Sequence, residues 1–273
     1  MTLGNTTQRV LVSIVAIPVI IAAGYFGGLY FFAFTCFIAI VSFYEFSRFV
    51  KNKDIHTNTW LGVIFILLLL VNEFFHYLDI YFIILTFTVL LTMIELFRNK
   101  NSAIVNIGTT LLGILYIGFF SDALLAIREL YPRIEHLYIH GGYLIISIFV
   151  TIWICDSAAF FGGTRFGRHK LYPRVSPKKS WEGAVFGFVF AILTMLLAKV
   201  FILDFLSWTT VVILGIIIGT IGQIGDLVES LFKRDAGVKD SSGLIPGHGG
   251  IFDRFDSLLY SAPVILLYLK NFA

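Results

Sequence analysis

The chain of 273 residues is 58% hydrophobic, 16% aromatic and only 14% charged, against about 25% charged in an ordinary soluble domain. With a mean hydropathy of +0.89 and no strand-like alternation, that composition excludes a water-soluble globule and points to an all-α, polytopic membrane bundle. A net charge of +3 is too small to call for a nucleic-acid partner. Cys36 and Cys155 each sit inside an apolar run, offer neither a disulfide framework nor metal spacing, and read as small core residues.

A membrane-crossing helix takes about 20 residues. In chain order, apolar stretches bounded by charges, turns and Gly or Pro are expected to cross at 8–27, 28–47, 60–76, 79–97, 103–127, 143–163, 182–202, 208–231 and 251–269, about nine transmembrane helices. Arg9 before an apolar run has the outline of a secretory signal, but the second run follows within a few residues and a hairpin accounts for both. Pro18 should kink the first span. Sixteen of the twenty Lys and Arg residues fall on one side of this arrangement, and only Arg128, Arg133, Lys199 and Lys270 on the other. The positive-inside rule makes the first side cytoplasmic, with the N-terminus inside and the C-terminus outside. The second and fourth spans close on a weak echo, Glu45 before Arg48 and Glu95 before Arg98, each spaced for an ion pair at a helix end. No linker divides the chain: residues 1–273 form a single membrane domain, in which 1–142 supply apolar spans and 143–273 carry the chemistry.

From Trp153 onward polar residues recur in dense runs beside helix ends. Two cytoplasmic loops stand out, Phe160–Gly183 and Ser230–Asp256. Asp156, Glu182, Asp226, Glu229, Asp253 and Asp256 flank them, all expected near one membrane depth around a polar cavity. Carboxylates beside hydrocarbon are costly unless they pair, face water or hold a metal. Without thiols or clustered imidazoles, they suit a hard cation, Mg2+ above all, and fit zinc poorly. Arg165, Arg168, Lys170, Lys178, Lys179, Lys233, Arg234, Lys239 and Arg254 crowd the same loops, a density that suits a polyphosphate substrate. Before the ninth span, Gly243–Gly250 lacks Walker A spacing, yet its amides are placed to approach an anion at a helix N-terminus.

These residues carry a resemblance. Ser230-Leu231-Phe232-Lys233-Arg234, Lys239-Asp240, Gly243, Pro246-Gly247-His248-Gly249-Gly250 and Asp253-Arg254-Phe255-Asp256 closely resemble the signature of the phosphatidate cytidylyltransferase (CDP-diacylglycerol synthase) family. Asp156–Gly163, Ser176–Gly183 and Gly225-Asp226 also look like family segments. The likeness covers roughly the C-terminal half at motif level. It implies a Mg2+-dependent membrane enzyme, a homodimer in the cytoplasmic membrane with its active site facing the cytoplasm, that joins CTP to phosphatidic acid. By similarity, Asp226, Asp253 and Asp156 would be metal ligands, for one or two divalent ions or a monovalent one. Asp256 and Glu229 would support them. Lys233, Arg234, Lys239, Asp240 and His248 complete the catalytic set. Ser176, Lys178, Lys179, Glu182, Gly249, Gly250 and Arg254 would bind substrate. His248 would donate to a phosphate oxygen rather than act as base, since a phosphate monoester is already an oxyanion at neutral pH. Three other readings compete: an ion-coupled transporter, against which the acids lie at one face and not the midplane; a CTP-using polyprenol kinase, against which the Lys-Arg, Lys-Asp, His-Gly-Gly and Asp-Arg-x-Asp series is complete; and a scaffold without activity, which leaves the six acids unexplained.

Overall fold

The structure, a computed structural model, describes residues 5–244 and 249–273. Each of the nine expected stretches coincides with helix. The order is α1 (Asn5–Phe26), α2 (Gly28–Val50), α3 (Thr59–Phe75), α4 (Ile80–Arg98), α5 (Ala103–Gly113), α6 (Phe120–Arg128), α7 (Glu135–Phe166), strands β1 (Lys170–Tyr172) and β2 (Ser176–Ser180), then α8 (Trp181–Phe201), α9 (Trp208–Ile217), α10 (Gln223–Asp235) and α11 (Phe252–Phe272). Among the described residues six helical runs are long and apolar enough to cross a membrane: Gly28–Lys53, Ile80–Arg98, Ala103–Arg128, His136–Phe166, Trp181–Phe201 and Trp208–Asp235. Val12–Phe26 and Thr59–Phe75 are shorter apolar helices, and α11, which opens on Asp253, Arg254 and Asp256 and ends on Lys270, is not among the six. The protein is thus an all-α membrane protein carrying one small hairpin.

Two of those runs each contain a wider π turn, Ile114–Phe119 between α5 and α6 and Ile218–Gly222 between α9 and α10. Such turns widen the backbone without ending the helix. At the second, the Gln223 side chain donates to the carbonyls of Gly219 at 2.6 Å and Ala184 at 3.0 Å.

The chain divides into two compact units. The first comprises residues 1–20, 28–126 and 233–255. Its core is aromatic: Phe43, Phe46 and Phe49 run down α2, Phe49 stacks on Phe252 and Tyr116 meets Phe252 edge-on. Gly62 and Gly113 leave the space that the Phe43 and Phe46 rings fill. Here Glu95 does pair with Arg98, at 3.1 Å. Arg98 also reaches the His56 and Thr57 carbonyls, and Asn106 bridges Glu95 to the His56 amide, so the pair fastens the segment after α2.

The second unit comprises residues 21–27, 127–232 and 256–273. Helices α7 and α8 meet along a seam of small residues. A Cβ on Gly183 would lie 2.6 Å from the Ala159 carbonyl, and one on Gly187 3.0 Å from that of Cys155. Without side chains in the way, the backbones approach closely, as membrane helices do in place of a hydrophobic drive between them. Cys155 is buried and unpaired, the small core residue its setting predicts. In the same unit buried Arg128 donates to the carbonyls of Gly24, Tyr25 and Tyr138 and lies 4.2 Å from the Tyr138 ring, satisfying the end of α1.

Candidate active site

Of the loop expected over Phe160–Gly183, residues up to Phe166 belong to α7 and those from Trp181 to α8, with a hairpin between them. Strands β1 and β2 pair antiparallel, Lys170 with Ser180 and Tyr172 with Ser176. Strands of three and five residues are too short for alternation to announce them. Ser180 caps α8 by accepting the Gly183 amide at 3.2 Å. Glu182, in the first turn of α8, accepts the Arg168 amide at 3.0 Å and the His169 amide at 3.2 Å, and meets His169 Nδ1 at 2.6 Å. Its carboxylate therefore clamps the hairpin's entry. Ser176 opens β2, half-buried, and Lys178 projects into the open.

Lys179, next along β2, turns the other way and donates to Asp226 Oδ2 at 2.5 Å. Asp226 lies in the first turn of α10, and Ser230 one turn on approaches its other oxygen at 3.4 Å. Buried Asp256 accepts its neighbour's Ser257 amide at 2.6 Å and sits in the field of Asp226, Glu229 and Asp156. Glu229 is fully buried and Asp156 is exposed. Of the six loop-flanking acids, five lie in the second unit: Asp156, Asp226, Glu229 and Asp256 thus gather with Lys179, while Glu182 serves the hairpin. Among the described residues no three Asp, Glu, His or Cys side chains close to the spacing of a metal shell. The donors are nonetheless all hard oxygens, the set that suits Mg2+ or Ca2+ and not zinc.

The first unit gathers the signature residues of the last loop. Lys233, on α10, forms an ion pair with Asp253 in which both side chains are under a tenth exposed. The other Asp253 oxygen accepts the Ser241 amide at 2.8 Å, the Ser241 hydroxyl at 2.9 Å and the Gly250 amide at 2.8 Å. Gly249 has φ +84°, the left-handed region that glycine enters without strain, and a side chain there would meet Asp253. Arg234 is exposed and donates to the Val238 carbonyl at 2.9 Å; Lys239, Asp240 and Arg254 are exposed. His248 lies outside the described residues.

Sequence reasoning missed two features here. Glu45 does not spend its carboxylate on a pair with Arg48: Oε1 accepts from Ser242 at 2.5 Å and the Ile251 amide at 3.1 Å, and Oε2 from Ser241 at 2.9 Å and the Phe252 amide at 2.9 Å. Of the Gly243–Gly250 amides expected to meet a substrate anion, that of Gly250 meets Asp253, the next two amides, of Ile251 and Phe252, meet Glu45, and residues 245–248 lie outside the described residues. The one signal for this in sequence is an acid on an otherwise apolar helix, which does not say what it binds.

The resemblance extends over nearly the whole chain. Residues 7–272 match the model of the cytidylyltransferase family. The phosphatidate cytidylyltransferase of Haemophilus influenzae is 36% identical, the alignment covering 94% of this chain and 96% of that one. Its namesake in Synechocystis sp. is 32% identical, with 96% of both chains covered, and that of Staphylococcus saprophyticus 30% identical over 96% of this chain and 98% of its own. With a match that leaves out only the first six residues and the last one, the chain belongs to the cytidylyltransferase family.

Proposed function

We propose that this protein transfers the cytidylyl group of CTP to phosphatidic acid, giving CDP-diacylglycerol and diphosphate for phospholipid biosynthesis. The observation that carries the reading, beside the full-length relatives, is the clustering in the first unit. Lys233, Gly249, Gly250 and Asp253, which the signature strings over twenty positions, come together around one carboxylate.

In the reaction a phosphate oxygen of phosphatidic acid forms a bond to the α-phosphorus of CTP while the bond from that phosphorus to the bridging oxygen of the leaving diphosphate breaks. No base is required, because the second pKa of a phosphate monoester is about 6. The chain's work is then to position two polyanions and offset their charge. Exposed Arg234, Lys239 and Arg254 of the first unit and exposed Lys178 of the second are free to reach phosphate oxygens, with Ser176 and the Gly249–Gly250 turn as further contacts. Lys179 and Lys233 become available when something else neutralises Asp226 and Asp253. His248 donates to a phosphate oxygen, and Asp240, beside Gly249, belongs to the same loop.

Mg2+ is the cation that the acids of the second unit fit. Asp226 is proposed as a ligand, with Asp156 beside it and Glu229 and Asp256 in support. Asp253 is proposed as a ligand also, where an ion would take the place of the Lys233 ammonium. Bound Mg2+ would supply the charge that stabilises the departing diphosphate.

The Lys and Arg distribution supports nine crossings with the N-terminus inside, which puts the basic hairpin and the 233–256 loop on the cytoplasmic side, where CTP is. The bacterial relatives support the cell membrane as its location, and a homodimer is proposed as its form on the family resemblance alone. The test is diphosphate release by purified protein in mixed micelles of phosphatidic acid, with CTP against ATP and with Mg2+ withheld. CDP-diacylglycerol formed with CTP and metal alone is the expected result. Phosphorylation of a polyprenol instead would overturn the reading.

A further inference from the structure

The Glu45 carboxylate answers to no step above, yet it is 2% exposed and accepts four hydrogen bonds from residues 241–252. We infer that Glu45 is a positioning residue of this enzyme: from α2 it holds Ser241, Ser242 and the first amides of α11 in the one arrangement that lets Ser241 and Gly250 bind Asp253. The inference rests on the activity proposed above.

Three observations support it. First, the Ser241 hydroxyl lies 2.9 Å from Glu45 Oε2 and 2.9 Å from Asp253 Oδ2. A hydroxyl has a single proton, which Ser241 can give to either acid but not to both at once, so the two acids share one donor while the Ser241 amide stays on Asp253. Second, Glu45 caps the very helix from which Asp253 projects: the Ile251 and Phe252 amides would otherwise face no intrahelical acceptor, and a carboxylate is the group a helix N-terminus favours. Third, the fit leaves no slack. A Cβ built on Gly250 would collide with the Ser241 hydroxyl and both Glu45 oxygens. Glu95 provides the contrast. It occupies the same place in the sequence echo, is equally buried, and holds only Arg98 and Asn106, none of which the reaction uses.

Glutamine at position 45 keeps the shape but replaces one acceptor oxygen by an NH2. Its hydroxyl partners can rotate to accept; the backbone amide facing that group cannot. In Glu45→Gln the expected result is a loss of about 10- to 100-fold in kcat, the usual cost of disturbing a group that orients a reacting one. KM for CTP should stay within about twofold, since no ground-state contact is removed. Glu95→Gln should keep its kcat per folded molecule. The double variant Glu45→Gln/Ser241→Ala should be no slower than the worse single variant, because both cut one path. Amide exchange at Gly250, Ile251 and Phe252, read without substrates, should accelerate in Glu45→Gln and not in Glu95→Gln. If Glu45→Gln does not fold, Ser241→Ala, which leaves both backbone bonds to Glu45, takes its place with the same kcat and KM criteria.

Wild-type kcat in the folded variant, loss only in proportion to the folded fraction, multiplicative effects in the double variant, or unchanged exchange would each overturn the inference. A wild-type chain that makes no CDP-diacylglycerol would instead overturn the proposed activity, and the exchange result would still decide whether Glu45 holds the loop.

Discussion

Replacing Gly250 by alanine adds a single methyl group, and the structure says where it goes. The new Cβ would overlap the Ser241 hydroxyl and both oxygens of Glu45. The Ser241 hydroxyl, the nearest atom, must rotate away even though the Ser241 amide can stay on Asp253 at 2.8 Å. Both Glu45 oxygens must withdraw as well, so Glu45 should lose at least two of its four donors, the Ser241 hydroxyl among them. Hydrogen bonds to a charged group contribute about 1.5–3 kcal/mol each, so the variant should lose about 3 kcal/mol or more. In a domain of this size that lowers the unfolding midpoint by roughly 6–12 °C. Thermal unfolding in detergent, followed by intrinsic fluorescence, reads the shift, and CDP-diacylglycerol formation below the midpoint reads the displaced Asp253 as a drop in kcat. Gly108→Ala is the control: nothing lies within 4 Å of its Cβ, and in the middle of α5 alanine should hold or slightly raise the midpoint. A Gly250→Ala protein with wild-type midpoint and wild-type turnover would refute the reasoning outright.

Asp226→Asn and Asp253→Asn should each abolish turnover while the detergent-solubilised protein stays monodisperse on gel filtration; equal loss of folding and activity would mark those acids as structural. Lys233→Met leaves Asp253 buried without its counter-charge, so a destabilisation of about 3 kcal/mol is expected with loss of turnover, measured by the same fluorescence melt, and Lys233→Arg should retain part of both. Stripping divalent cations with a chelator should stop diphosphate release, and adding back Mg2+ should restore it where Zn2+ does not. Glu182→Gln removes charge-assisted bonds to the Arg168 and His169 amides, so trypsin should cut near Arg168 and Lys170 faster in the variant than in the parent. An unchanged cleavage rate would mean that the hairpin holds its shape without that clamp.

The helices were legible because lipid as a solvent demands long apolar runs, and nothing shorter than a helix could have produced stretches such as 60–76 or 182–202. Their internal departures were not. The π turns at Ile114–Phe119 and Ile218–Gly222 leave the apolar pattern intact, and the hairpin at Lys170–Ser180 is held by Glu182 instead of by a periodic strand sequence. Of the site, residues with charge announced themselves and the bonds between them did not. Lys179 reads as one of two adjacent lysines until β2 turns it onto Asp226. Glu45 is the clearest case: its partners lie 196 to 207 residues away in the chain, beyond any local pattern, whereas Glu95 and Arg98, three residues apart, behaved as their spacing foretold.

The glycine seam between α7 and α8 divides the mutational freedom of those helices very unequally. Phe161, Val185, Val189, Leu193 and Leu197 are exposed on a pair of helices built for lipid, and acyl chains scarcely distinguish one apolar side chain from another, so these positions can drift among Leu, Ile, Val and Phe at little cost. At Gly183 and Gly187 even one added carbon meets the opposite backbone, and no rotamer change can remove a carbonyl. Drift should therefore run along the outer faces of α7 and α8 while the seam stands still, and random mutagenesis scored by lipid synthesis should recover many outer substitutions for each one tolerated inside.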